Sequence, residues 1–122
     1  FILGTGGIDI SDYCGFAMGV QILSSSDNYD GSTLTNPTVG IEITKPNTKK
    51  ITFSNHNIIG ANSIILPGAE LGEGVSVGAL SLIKTSQKLL DWHVYFGIPV
   101  KVISKRKKDL LVAAKKFKKS QK

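Results

Sequence analysis

The sequence has little cysteine, few aromatic residues and no long apolar run, and each shortage excludes a class of protein. Cys14 is the single cysteine among the 122 residues, so a disulfide within the chain is excluded and we expect a cytoplasmic protein. Aromatic residues make up 7% of the chain, which suits a narrow aliphatic core. No apolar run approaches the roughly 18 residues of a membrane-spanning helix. We therefore expect one domain without stable membrane insertion.

Acidic residues are scarce in the last part of the sequence, which is strongly basic. Residues 101–122 hold ten lysine and arginine residues against Asp109, a net charge of +9, so the first hundred residues carry −3 of the total of +6. Such a tail suits nucleic acid or an anionic membrane surface, but no nucleic-acid motif accompanies it. Helical spacing of apolar residues instead predicts a solvated helix over 107–122, with a stripe of Leu110, Leu111, Ala114 and Phe117. We expect no nucleic-acid partner.

A period of six residues organises the middle of the chain. Every sixth residue is large and apolar, and these anchors are Phe53, Ile59, Ile65, Leu71, Val77 and Ile83. The fourth residue after an anchor is small or slim, as at Asn57, Ser63, Ala69, Val75 and Ser81. Six is a multiple of the strand period of two and fits the helical period of 3.6 poorly. The repeat therefore predicts stacked short strands, the hexapeptide pattern of a β-helix.

In a coil of this kind, each anchor points into the interior and stacks on the anchors of the coils above and below. Glycine directly follows three anchors, at Gly60, Gly72 and Gly78. We expect positive φ at the glycine or asparagine that lies beside the small fourth residue, because tight turns favour it there. The six-residue spacing also occurs earlier, at Ile10, Phe16 and Ile22. Cys14 takes the fourth position after Ile10, which predicts a small buried corner residue and no nucleophilic role.

The six-residue spacing is interrupted between the two regular parts. The separation of Ile22 from Phe53 is not a multiple of six. The intervening sequence is rich in Ser, Asn, Asp, Gly and Pro, the residues of turns. The pattern predicts an excursion loop over about residues 24–50, and long excursions from a compact domain are often functional.

The regular segments resemble the hexapeptide-repeat acyltransferases, most of all the galactoside and maltose O-acetyltransferase group. The matching runs are residues 59–68, 71–75 and 77–83. Residues 95–103 resemble the closing signature of that family. The resemblance implies a left-handed parallel β-helix over residues 1–106, a homotrimer, and acetyl-CoA as the acyl donor. Family members carry more chain before the helix, so we expect a further segment upstream of Phe1.

The resemblance also implies a catalytic histidine in the excursion loop, and here the sequence departs from the family. The matching position is Ser25, whose hydroxyl cannot act as a general base near neutral pH. Three explanations stay open: the base is lost, a variant retains only the fold and the donor pocket, or another base has taken over. His56, three residues after Phe53, is the candidate base or an exposed turn residue, and His93 is less suited. Asp27 is placed to hydrogen-bond an acceptor or to orient a base.

Small residues of the repeat are candidates for contact with the pantetheine arm of CoA, which needs open backbone along flat strands. By resemblance, Ala61 and Ala79 stand where relatives place small residues against this arm. Gly97 belongs to the closing signature of the family. The resemblance thus implies a donor-binding wall that includes these three residues.

Basic residues are candidates for contact with the phosphates of CoA. Relatives have Thr-Lys where this chain has Lys84-Thr85, in transposed order, so which of the two side chains meets a phosphate stays open. Lys101 matches a basic position of the closing signature, and Lys105 or Arg106 is close enough in sequence to assist. A solvated charge is the alternative for each of them.

The resemblance implies an acetyl-CoA-dependent acetyltransferase that acts on a hydroxyl of a sugar, such as a precursor of a cell-surface polysaccharide, with amines as further acceptors. The alternative is a catalytically impaired or silent trimer that still binds CoA, because Ser25 occupies the histidine position. A zinc enzyme of the β-helical carbonic anhydrase type needs three histidine ligands. Since the chain has two histidines, we expect no metal site.

Overall fold

The structure, a computed structural model, describes residues 1–26 and 47–120. Short strands follow one another in this part of the chain, and one helix ends it. Their bounds are β1 Ile2–Leu3, β2 Ile8–Ile10, β3 Gly15–Phe16, β4 Gln21–Leu23, β5 Ser25–Ser26, β6 Asn47–Thr48, β7 Ile51–Phe53, β8 Ile58–Ile59, β9 Ile64–Ile65, β10 Glu70–Leu71, β11 Ser76–Val77, β12 Leu82–Ile83, β13 Lys88–Leu89, β14 His93–Gly97, β15 Val100–Lys105 and α1 Leu110–Ser120.

The strands stack into three sheets that form the sides of a left-handed parallel β-helix. Sheet A contains β1, β4, β9 and β12, sheet B contains β2, β7, β10 and β13, and sheet C contains β3, β8, β11, β14 and β15. Ser76 pairs with Val94 and Glu70 pairs with Lys88, and each pair is separated by three hexads of sequence. One coil is therefore three hexads long, which confirms the six-residue repeat. Only β15 among these sheet strands runs antiparallel to its neighbour, β14.

The predicted anchors fill the interior of the β-helix. All six anchors from Phe53 to Ile83 are at most 3% exposed, and the pattern continues through Leu89 and Tyr95. Burying an aliphatic side chain of this size contributes roughly 1.5–3 kcal/mol. The fourth residues after the anchors are buried as well: Asn57, Ser63, Ala69, Val75 and Ser81. The core is therefore a stack of apolar anchors lined at the corners by slim side chains.

The backbone turns at the corners beside the small fourth residue, as the sequence predicts. Positive φ occurs three residues after each anchor, at His56, Asn62, Gly68, Gly74, Leu80, Ser86 and Trp92. Asn62, Gly68 and Gly74 each lie beside the small fourth residue, so the expectation of positive φ at such glycine and asparagine residues is confirmed. The glycines that directly follow anchors are needed for space, because a Cβ atom at Gly60 would collide with the backbone of Ala79 and one at Gly78 with the ring of Phe96.

The first coil is less buried than the six-residue spacing predicts. Ile22 is 2% exposed and Phe16 is half-buried, but Ile10 is 46% exposed. Ile10 lies in β2, which pairs only with β7 at the edge of sheet B. Its side chain therefore has a neighbouring coil on one side only. Cys14 is half-buried and packs against the core, with its Sγ 3.1 Å from the Ser54 carbonyl oxygen.

The predicted excursion begins and ends at the corner between sheets A and B. Gln21 pairs with Ile64, more than two coil lengths further along the chain, so the excursion is longer than one whole coil. β5 and β6 pair antiparallel through Ser25 and Thr48 and form the base of this excursion. Residues 27–46 lie outside the described part of the chain.

Helix α1 follows β15 and lies against the outside of the β-helix. Leu110, Leu111 and Ala114 are half-buried, while Phe117 is 53% exposed, so the predicted apolar stripe is only partly covered. Lys118 and Lys119 lie in the last turn, where positive charge stabilises the helix dipole. In the described residues, no helix is long and apolar enough to cross a membrane.

Candidate functional site

His56 lies at the corner between sheets B and C, in a column of aromatic rings. The same corner position is occupied by Tyr13 on the coil before and by Trp92 two coils later. The His56 imidazole stacks on the Tyr13 ring with centroids 5.0 Å apart and planes 2° apart, and it lies 6.1 Å from the Trp92 ring. Gly74 occupies the intervening coil, where a Cβ atom would collide with the Trp92 indole. We call Tyr13, His56 and Trp92 the ring column.

The backbone of this corner is held by Arg106, at the end of β15. Its Nη1 donates to the carbonyl oxygens of His56 at 2.6 Å and of Gly74 at 3.0 Å. The backbone N–H of Arg106 donates to the Trp92 carbonyl oxygen at 2.8 Å. Partial burial of the guanidinium lowers the pKa of Arg106, because a charged group loses solvation there. One residue therefore connects three successive coils of the B–C corner.

A cavity of about 530 Å³ separates the B–C corner from helix α1. Tyr13, His56 and Arg106 line it on the β-helix side, and Leu110, Ala113, Ala114 and Phe117 line it on the helix side. Its size lies in the range of about 300–1,000 Å³ that small-molecule sites occupy. His56 is half-buried, and of the predicted catalytic residues within 1–26 and 47–120 it alone belongs to this lining. His93 lies outside it, with Nδ1 2.7 Å from the Asp91 carbonyl oxygen.

Lysine side chains approach the two ends of the ring column. Lys118 Nζ lies 5.7 Å from the centre of the Tyr13 ring, and Lys108 Nζ lies 5.6 Å from the Trp92 ring. Each cation–π contact of this kind contributes about 0.5–1 kcal/mol at an exposed site. These contacts hold the basic C-terminal segment against the B–C corner.

The small residues predicted for donor binding line up at a second corner, between sheets C and A. Ala61, Ala79 and Gly97 follow one another at intervals of one full coil. Leu80 N donates to the Ala61 carbonyl oxygen at 2.9 Å, and Gly97 N donates to Ser81 Oγ at 3.2 Å. The structure thus brings these three residues together in one column. Lys101 is exposed on β15, in the same sheet C that this column borders.

The other predicted residues lie at the third corner, between sheets A and B. Lys84 is exposed, with its backbone N–H bonded to Gln87 Oε1 at 3.0 Å, and Thr85 follows it. Ser25 is half-buried and its hydroxyl lies 2.9 Å from Thr48 Oγ1. Asp27 lies outside the described residues. Among the residues that the structure describes, one chain therefore distributes the predicted site residues over all three corners and does not assemble them into a single cluster.

The sequence reasoning missed Tyr13 and Trp92 as neighbours of His56 and gave Arg106 only an auxiliary role at a phosphate. The spacing of the residues could have shown that Trp92 lies near His56, because corner positions recur every six residues as the anchors do. His56 and Trp92 are separated by two full coils. Among the described residues, no group of three His, Cys, Asp or Glu side chains is placed to hold a metal ion.

No family model matches the chain. Over 119 residues the chain is 40% identical to the dTDP-4-amino-4,6-dideoxy-D-glucose acyltransferase of Escherichia coli, a match that covers 98% of this chain and 61% of the relative. The homologues of this chain are acyltransferases of the hexapeptide-repeat family. The chain is also 35% identical to AntD, an N-acyltransferase from Bacillus cereus solved with dTDP and 3-hydroxybutyryl-CoA, with a TM-score of 0.91 over 98% of this chain and 63% of AntD.

A galactoside acetyltransferase solved with coenzyme A shares the fold, with a TM-score of 0.72 at 22% identity over 87% of this chain and 48% of that one. The resemblance to hexapeptide-repeat acyltransferases is confirmed. The two more similar homologues are an acyltransferase named for an amino sugar and an N-acyltransferase. The chain spans somewhat less than two thirds of the length of both.

Proposed function

We propose that this chain forms the acyl-transferring β-helix of a CoA-dependent acyltransferase whose acceptor is a sugar linked to a nucleotide. The amino group of that sugar is the preferred acceptor, because the more similar homologues carry an amino-sugar name and an N-acyltransferase name. A sugar hydroxyl, as in the galactoside and maltose enzymes, is the second candidate. Acetyl-CoA is the simplest donor, and a longer acyl-CoA is supported by the 3-hydroxybutyryl-CoA bound to AntD.

One observation carries the proposal: His56 and the column of small residues border the same face of sheet C. His56 precedes β8 and Ala61 follows it. At about 3.3 Å per strand residue, the two positions are on the order of 16 Å apart. An extended pantetheine arm against Ala61, Ala79 and Gly97 would direct its thioester along this face. Lys101 on the last strand of sheet C is placed to meet a phosphate.

His56 is the proposed general base. The acceptor nitrogen attacks the thioester carbonyl carbon, the carbon–sulfur bond breaks, and CoA leaves as a thiolate, which then takes up the proton that the base has removed from the nitrogen. The neutral imidazole of His56 takes the proton that the nitrogen loses. Ser25 is not a base in this scheme, since its hydroxyl already interacts with Thr48. Asp27 stays a prediction for acceptor binding.

The proposal includes a homotrimer, because the site residues of one chain lie on three separate corners. Association of copies would bring the A–B corner of one chain, with Ser25, Lys84 and Thr85, beside sheet C of another. Exposed apolar residues at the C–A corner support such an association. Leu80 is 64% exposed and Ile98, one coil further, is 74% exposed.

The decisive assay compares two acceptors that differ in one group: dTDP-4-amino-4,6-dideoxyglucose and dTDP-6-deoxyglucose, which has a hydroxyl at position 4. Released CoA is quantified by chromatography with acetyl-CoA and with 3-hydroxybutyryl-CoA as donors. We expect transfer to the amine, and preferential transfer to the hydroxyl would instead support O-acylation. No transfer to either acceptor, together with CoA binding in calorimetry, would support the silent trimer, which the serine at position 25 favours.

His56→Gln tests the base. We expect kcat with the amino sugar to fall by about 10²-fold or more, as is usual when a general base is removed. His93→Gln is the matched control, because His93 lies outside the cavity lining. Unchanged kcat in His56→Gln would contradict the role of His56. A rise in kcat in Ser25→His above the wild type would instead indicate that the wild type lacks an efficient base.

A further inference from the structure

Arg106 is a half-buried cation that forms no ion pair with any carboxylate in the described part of the chain. Its guanidinium instead donates to two backbone carbonyl oxygens of the B–C corner, those of His56 and Gly74. A hydrogen bond from a charged donor contributes about 1.5–3 kcal/mol. Burial of the guanidinium costs solvation energy, so a residue with only a general role at the surface would keep its charge in water.

The two carbonyl groups belong to residues with left-handed backbone. His56 has φ of 61° and Gly74 has φ of 68°. Glycine adopts this conformation readily, but for a residue with a Cβ atom it costs about 1–2 kcal/mol. Of these two residues, His56 is therefore the one whose left-handed backbone needs to be stabilised by a hydrogen bond from elsewhere in the chain. The bond from Arg106 to the His56 carbonyl oxygen, at 2.6 Å, is the shorter of the two.

Holding the His56 carbonyl also fixes the direction of its side chain. The carbonyl belongs to the same residue as the imidazole, so fixing its peptide plane fixes the backbone from which Cβ extends. Tyr13 then sets the ring plane by parallel stacking, and Trp92, whose own carbonyl accepts from Arg106 N, limits the ring from the other side. The three contacts together leave the imidazole little freedom.

We infer that Arg106 is a positioning residue for His56, which it holds in the orientation needed for proton transfer. This inference rests on the proposed role of His56 as the base. The guanidinium suits the task because the two N–H groups of Nη1 point in fixed directions in its plane and reach carbonyls on two successive coils, whereas the ammonium of a lysine rotates freely. Misplacement of a catalytic group by about 1 Å can cost about 10²-fold in rate.

A double-mutant cycle tests the inference with kcat and KM for the amino sugar and for acyl-CoA. We expect Arg106→Gln to lower kcat by about 10-fold and to change KM less than about twofold, since a positioning defect acts on the transition state. In the His56→Gln background the same change should cost less than about twofold, because coupled residues are not additive. Arg106→Lys should recover part of the rate. Lys107→Gln, which removes one charge from an exposed neighbour, is the control.

A spectroscopic readout independent of activity completes the test. The ring protons of His56 experience ring currents from Tyr13 and Trp92, and His93→Gln leaves a single histidine to observe by NMR. We expect the His56 resonances to move towards those of a free histidine in Arg106→Gln and to stay in place in Lys107→Gln. A thermal unfolding curve establishes that each variant is folded, and Arg106→Lys replaces Arg106→Gln if the latter is not.

The outcomes separate the inference from the proposed function. Unmoved His56 resonances in a folded Arg106 variant, or an equal kcat loss in both backgrounds, would overturn the inference. Normal kcat in Arg106→Gln with an inactive His56→Gln would overturn it as well, while the base proposal would stand. Full activity of His56→Gln would contradict the base proposal, and the resonances alone would then decide whether Arg106 orients the ring.

Discussion

Two adjacent residues at each corner of this β-helix have different roles. The third residue after an anchor has positive φ, and the fourth is buried. His56 and Asn57 are such a pair: the imidazole is half-buried at the cavity, whereas Asn57 is 1% exposed and donates to the Gly72 carbonyl oxygen at 2.7 Å. A functional side chain at the third position therefore leaves the packing of the core unchanged.

Adjacent isoleucines in β8 allow a direct test of the anchor positions. Ile59 is completely buried, whereas Ile58 is 47% exposed. We expect Ile59→Ala to lower the free energy of unfolding by about 2–5 kcal/mol, because it removes transfer energy and leaves a cavity. Ile58→Ala should cost less than about 1 kcal/mol. Urea denaturation of both variants measures the difference, and equal losses would contradict the inward direction of the anchors.

Gly74 permits a test of the ring column. Its φ is 68°, and a Cβ atom there would meet the Trp92 indole. We expect Gly74→Ala to destabilise the protein by about 2–4 kcal/mol, since strain and overpacking combine. Gly4→Ala is the control, because the nearest atom to its Cβ is Ile8 Cδ1 at 4.0 Å. Displacement of the indole would also shift the fluorescence of Trp92, the single tryptophan.

Among the elements, the base of the excursion and helix α1 are attached in different ways. The two strands β5 and β6 pair through backbone hydrogen bonds and a hydroxyl contact between Ser25 and Thr48. Helix α1 buries none of its residues completely and is held by half-buried side chains and by the cation–π contacts of Lys108 and Lys118. The helix therefore contributes little to the core, although it forms one side of the cavity.

Removal of residues 107–122 tests what the basic C-terminal segment does. We expect the free energy of unfolding to fall by about 1–3 kcal/mol, because the two cation–π contacts, of about 0.5–1 kcal/mol each, are lost while no residue of α1 is completely buried. CoA binding, measured by calorimetry, should remain. Any DNA binding at low salt should disappear, since it depends on lysine charge. Loss of CoA binding in the truncated protein would place the segment in the donor site.

At the scale of the whole molecule, one chain presents three edges with different chemistry. The B–C corner carries the ring column and the cavity, the C–A corner carries the small residues with Leu80 and Ile98, and the A–B corner carries the base of the excursion. Because these residues lie at three separate edges of one chain, they could come together only where edges of different copies meet. This distribution is the basis on which we propose the trimer.

The proposed trimer predicts a specific sensitivity at the C–A corner. Leu80 and Leu90 are exposed to a similar degree, 64% and 62%, but Leu90 lies at the B–C corner. Aspartate tolerates the positive φ of Leu80, so we expect Leu80→Asp to fold and to dissociate the assembly, which analytical ultracentrifugation measures. Leu90→Asp should leave the assembly intact. A stable monomer for the wild-type protein would contradict the trimer itself.

Much of the fold could be predicted because the repeat is local. Anchors such as Ile65 and Val77 are identified by spacing alone, and both are buried as expected. The turns could be predicted where glycine or asparagine lies beside the small fourth residue, as at Gly68, but not at Leu80, where an ordinary side chain takes the positive φ. The column of Ala61, Ala79 and Gly97 could be predicted, since its members differ by whole coils. The same count separates Lys84 from that column, since it lies five residues and not a whole coil after Ala79. The stacking of Tyr13 on His56 could not be predicted in this way, because the excursion lies between them.

The sequence by itself determined the length of the repeat, the identity of the anchors and the interruption between Ile22 and Phe53, since a period of six is fixed by strand and turn geometry. Only the tertiary structure decided which corners stack on each other across the excursion. The excursion separates Tyr13 from His56 in the chain, yet their rings stack, and Arg106 reaches the same corner from β15. Contacts between distant segments depend on how the coils before and after the excursion align with each other, and the local six-residue pattern does not contain this alignment.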